Sequence, residues 1–138
     1  MTAGSAPLSE SPHDTEEQLR RAIADHGSAR LHVQGTSMAP TLAPGDLVRV
    51  EPTRVPTPGD VVTFSLGRDV VTHRVVKVTR DSIICRGDNR SAADPPVPLA
   101  ALIGRVVEVT GKGPLRGGRG GLWSASARRF ARRVRARL

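Results

Sequence analysis

Aromatic residues are scarce. The 138 residues include no tyrosine, one tryptophan and two phenylalanines. A core therefore has to be assembled from Val, Leu, Ile and Ala, which the length of one ordinary domain allows. There is a single cysteine, Cys85, so no internal disulfide can form and nothing favours an oxidising compartment. No apolar run approaches the ~20 residues of a membrane span, and the first residues lack the basic start and apolar stretch of a secretory leader. His13, His26 and His32 are scattered without metal-ligand spacing, and neither a phosphate-binding loop nor a dinucleotide fingerprint is present. No metal or organic cofactor is expected.

Acidic residues are also missing from one end. Residues 1–111 hold twelve Lys/Arg against thirteen Asp/Glu, whereas residues 112–138 hold nine Lys/Arg and no acid. The formal charge of +8 belongs to a tail and does not describe the domain, so specific nucleic-acid binding is not expected.

Residues 1–13 are rich in Ser, Pro and Ala and are predicted to be disordered. Asp14-Thr15-Glu16-Glu17 predicts a capping box opening a short helix, with Leu19, Ala22, Ile23 and His26 on one stripe and Gly27 at its end. From Arg30 the period changes to two. Leu31–Gln34, Leu47–Glu51, Val61–Leu66, Val70–Val78, Ile83–Arg86 and Ile103–Val109 are Val/Ile-rich runs parted by Gly, Pro and Asp. The expectation is a mainly β, antiparallel, partly closed barrel-like domain over residues 14–110. A Gly/Arg linker follows at 111–121. A basic amphipathic helix is predicted over 122–138, with Trp123, Ala127, Phe130, Val134 and Leu138 on one side.

The chemistry centres on Gly35-Thr36-Ser37-Met38-Ala39-Pro40-Thr41-Leu42, where a serine stands on a bend. A serine hydroxyl is a weak nucleophile without a neighbouring base. In the longest strand, His73 shares a face with Val71 and Val75, while Thr72, Arg74 and Val76 take the other. A neutral imidazole there can accept the serine proton, and a carboxylate on its far nitrogen would fix the tautomer. Asp60, Asp88 and Asp94 all lie near strand ends that could supply one. Cys85 is expected to be a small core residue and not a thiolate nucleophile. Lys77 is expected at the surface.

Three blocks in order resemble the type I signal peptidases, in the subtype with a Ser-His site. They are Gly35–Thr41 with Gly45-Asp46, then Gly59–Phe64 leading to Val71-Thr72-His73-Arg74-Val75-Val76, and Arg86-Gly87-Asp88-Asn89-Arg90 with Asp94 and Ile103–Val106. The resemblance covers about residues 31–109. It implies a serine endopeptidase that processes leader or precursor peptides after small residues. Ser37 would be the nucleophile and the oxyanion donor through its backbone N–H, and His73 the general base. Asp94 would orient His73, with Asp88 bracing the site and open as the alternative. Met38 and Pro40 would border the substrate groove. Two other readings stay open: an inactive peptide-binding module of the same shape, and a self-cleaving regulator. A cytoplasmic location is expected, with the basic tail resting on anionic membrane. Ala125-Ser126-Ala127 in that tail is read as ordinary helix, although its small residues resemble a cleavage site.

Overall fold

The computed structural model describes residues 15–115. The N-terminal segment expected to be disordered and the basic helix expected over 122–138 lie outside the described residues. Helix α1 spans Glu16–His26. The Thr15 side chain accepts from Gln18 N–H at 3.1 Å, and the Gln18 side chain accepts from Thr15 N–H at 3.4 Å. The capping box is thus Thr15/Gln18, one residue later than Asp14/Glu17. Both pairs satisfy the same pattern, so the pattern alone could not separate them. Leu19 and Ala22 are buried and Ile23 packs against them, but His26, expected on that stripe, faces solvent in the last turn.

Eight strands follow: β1 (Ala29–His32), β2 (Leu47–Glu51), β3 (Val61–Leu66), β4 (Asp69–Val78), β5 (Ser82–Arg86), β6 (Val97–Pro98), β7 (Leu102–Val109) and β8 (Gly113–Pro114). They form one antiparallel sheet in the order β1-β2-β7-β3-β4-β5-β6, with β8 on β7. The two ends of that path do not pair with each other, so the sheet is open. The fold is the small β-rich domain that the alternating Val/Ile runs predict.

β7 is the hub. One edge runs along β2 from Arg105 to Val109, and the other meets β3 at Leu102–Arg105 and then β8. Both faces of the sheet are covered. Val61 joins a core with Leu19, Met38, Leu42, Val48 and Val106, while Val62 and Phe64 join a second with Val75, Ile83, Cys85 and Val97. This double burial explains why β3 opens with four consecutive buried residues instead of an alternating pattern.

Several boundaries differ from those read in the sequence. β1 starts and ends two residues earlier than Leu31–Gln34. β6 and β8 were not foreseen, because two residues carry no period and each contains a proline, a residue suited to such short edge pairings. β8 and the buried Leu115 carry the fold beyond residue 110, into the start of the stretch read as a linker. No helix among the described residues is long and apolar enough to cross a membrane.

The β7–β2 contact is tight at one point. A methyl group at Gly104 would lie 2.4 Å from the Glu51 carbonyl oxygen and 2.7 Å from Val50 Cγ1. Backbone cannot yield as a flexible side chain does, so Gly104→Ala should destabilise the domain by about 1–3 kcal/mol. Thermal denaturation should show this as a Tm lowered by roughly 5–15 °C. An unchanged Tm would mean that β2 has room to move.

Candidate active site

Ser37 opens a tight turn between β1 and β2. Leu42 N–H donates to Met38 O at 2.9 Å, closing one helical turn, and both side chains are fully buried. Each contributes roughly 1.5–3 kcal/mol of burial. Two apolar anchors just after the serine therefore pin its backbone to the core while Ser37 itself stays half-buried.

His73 comes from the middle of β4 and is 6% exposed. Its Nε2 lies 3.1 Å from Ser37 Oγ, and its Nδ1 lies 2.6 Å from Asp94 Oδ2. A carboxylate can only accept, so the Asp94 contact places the ring proton on Nδ1 and leaves the Nε2 lone pair facing the Ser37 hydroxyl. Phe64 meets the imidazole edge-on, with ring centroids 6.3 Å apart. Asp94 is held from two sides: its N–H donates to Cys85 O at 2.8 Å, and Val97 pairs with Ile83. Ser37, His73 and Asp94 thus come from three separate segments, and the fold brings them together.

Asp88 stands elsewhere. Arg74, the residue after His73, points to the opposite face of β4 and donates to both Asp88 oxygens, at 2.7 Å from Nε and 2.6 Å from Nη2. Nη1 donates to Gly59 O at 2.8 Å, and Thr41 Oγ1 donates to Asp88 Oδ2 at 2.5 Å. The ion pair is almost fully buried. The turn that carries Asp88 also clamps the serine backbone. Asn89 N–H donates to Ser37 O at 2.8 Å and Asn89 Nδ2 to Thr36 O at 3.1 Å. Gly87 permits the approach, since a methyl group there would fall 2.6 Å from Ser37 O.

A cleft of about 450 Å³ opens beside Ser37 and His73, between Leu31–Gln34 and Arg68–Thr72. Met38 lines it from the core side; Pro40, expected at the groove, is exposed and does not line it. Cys85 is buried, and burial followed by the nearby Asp94 charge pushes its thiol up to about 12. Such a thiol is no nucleophile at neutral pH. Lys77 is exposed beyond an irregularity in the β4–β5 register. His32 lines the cleft and His26 does not; His13 lies outside the described residues. Among the described residues no cluster of His, Cys, Asp or Glu is arranged to hold a metal ion. Two features escaped the sequence reading: the Arg74 partner of Asp88 and the hold of Asn89 on the serine turn. An arginine inside a Val-rich strand was the available signal for the first.

The model of the Peptidase S24-like family matches residues 1–107, a span that includes Ser37, His73 and Asp94. No curated protein matches the chain. The match is to a serine peptidase family and does not extend to the signal-peptidase subtype that the three sequence blocks resemble.

Removing one partner of a buried ion pair strands the other charge, at a cost of about 3–5 kcal/mol. Asp88→Ala should show a loss of that size in urea denaturation. A loss below ~1 kcal/mol would mean that Arg74 finds water or another acceptor.

Proposed function

The chain belongs to the Peptidase S24-like family, and from that premise we propose that it is a serine endopeptidase of the signal-peptidase type. It would cut leader or precursor peptides after small residues. The observation that carries this reading is the hydrogen-bonded line from Ser37 Oγ through His73 to Asp94.

In this reading His73 Nε2 takes the Ser37 proton as Oγ adds to the scissile carbonyl. The imidazolium that forms is stabilised by Asp94 and returns its proton to the departing amine nitrogen. Water, deprotonated by the same Nε2, then opens the acyl-serine ester. The Ser37 backbone N–H, which has no acceptor among the described residues, is the natural donor to the oxyanion. Histidine in the base position favours the Ser-His signal-peptidase subtype within the resemblance.

The cleft suits an extended peptide because two strand edges in it have no partner strand among the described residues. Val75 N–H and C=O bond to Asp60 and Gly59, on the β3 side. Alternation then turns the backbone groups of Val70 and Thr72 to the other side, where β5 pairs only from Arg74 onward. Likewise Val33 bonds to Asp46 and Gly45, so His32 turns its backbone groups away from β2. A peptide strand between these edges would gain main-chain hydrogen bonds from both. Residues 122–138 would supply peripheral contact with anionic membrane.

Ser37→Ala and His73→Ala should each lower peptide cleavage by at least about a thousandfold, and the double variant should be no worse, since the two act as one unit. Fluorophosphonate should label Ser37 in wild type only. Wild-type turnover in His73→Ala would remove the dyad.

The family match also favours a second reading, in which the chain cuts itself as a regulator does. Intact-mass measurement of wild type against Ser37→Ala separates the two. Self-cleavage predicts a truncated wild type and a full-length variant; two full-length species leave cleavage of other chains.

A further inference from the structure

Two arginines line the cleft. Arg90 leaves the Gly87–Arg90 turn beside the nucleophile: a methyl group at Gly87 would lie 3.0 Å from Arg90 Cγ and 3.1 Å from Ser37 Cβ, so these atoms are no further apart than those distances combined. Arg68 sits at the tip of the β3–β4 hairpin, five residues before His73, and lines the same cleft. Both are exposed, and neither has a carboxylate partner among the described residues. The acids nearby are otherwise occupied at the catalytic end, where Asp88 pairs with Arg74 and Asp94 contacts His73. Asp69, next to Arg68 in the chain, also lines the cleft and forms an ion pair with neither cation.

We infer that the cleft selects peptides carrying two acidic side chains about five residues apart, one held by Arg90 beside the scissile bond and the other by Arg68. The inference rests on the peptidase reading for its substrate and names the side chains that substrate carries. The spacing follows from the chain entering β4: Arg68, in the turn just before Asp69, precedes His73 by five residues, about 17 Å at strand rise, and His73 faces the Ser37 beside which Arg90 stands. A peptide extended along the same edge covers that distance in five residues. A guanidinium offers a planar fork matched to a carboxylate, and in a cleft narrowed by bound peptide the contact is less screened than on open surface. Asp69 disfavours an acid at the intervening positions, which suits the small residues expected next to the cut.

The test uses Ser37→Ala protein, which binds without cutting. Two fluorescein-labelled ten-residue peptides of Ala and Ser are compared, one with aspartates five residues apart and one with asparagines there. Fluorescence polarisation at low salt should show the aspartate peptide binding on the order of tenfold tighter, an advantage that shrinks as salt is raised. Adding Arg68→Ala and Arg90→Ala to Ser37→Ala should abolish the difference, with thermal unfolding as the check that the fold is intact. Equal affinities in Ser37→Ala, no measurable binding of either peptide, or a preference that survives loss of both arginines would overturn the inference. The peptidase reading fails separately. If wild type resists fluorophosphonate while the aspartate preference holds, the cleft selects acidic peptides without cutting them.

Discussion

The buried pair between Arg74 and Asp88 ties the site together. Arg74 is fixed to β4, which carries His73, and Asp88 is fixed to the turn that grips the Ser37 backbone through Asn89. Base and nucleophile come from distant parts of the chain, and neither holds the other firmly. A hydroxyl-to-imidazole hydrogen bond contributes only ~1 kcal/mol net and cannot organise two segments. A charged, bidentate and desolvated contact can, because letting go leaves a charge in the core. The constraint on geometry is therefore placed one residue away from the chemistry.

That arrangement uses the strand period. Adjacent residues on β4 point to opposite faces, so His73, edge-on to Phe64, lies on the side of the second core, while Arg74, opposite Val61 in the ladder, lies on the side of the first. Reactive and bracing side chains share a backbone but not a pocket. A shift of β4 by one register position would exchange them, so the hydrophobic pattern that fixes the register also fixes which residue faces the serine.

This also explains what the sequence could and could not convey. The sheet was legible because Val/Ile runs of four to nine residues carry a clear period. β6 and β8 were not, being two residues long. The pairing of Ser37 with His73 was implied by the resemblance that the motif blocks carry, but the choice between Asp88 and Asp94 could not be read from spacing, since both sit in one irregular stretch after β5 whose path is set by tertiary contacts. That path depends on Asp94 N–H reaching Cys85 O and on Val97 pairing with Ile83. Neither bond has a signature in the residues that make it. Pro40 was misplaced for a related reason. Proximity along the chain to a nucleophile says nothing about which side of the turn faces the cleft.

The open sheet is the remaining constraint. Unpaired strand edges invite association with other chains, and a small domain ordinarily covers or closes them. Here the first half of β4 and the outer side of β1 have no partner strand among the described residues where they border the cleft. The far end of the path is treated differently: β6 is two residues long, and its Pro98 cannot donate to a further strand. Closing the sheet into a complete barrel would add hydrogen bonds and would remove the slot beside Ser37. The pairing energy forgone at that place is what keeps an extended chain able to lie against the hydroxyl, so incomplete closure belongs to the site as much as His73 does.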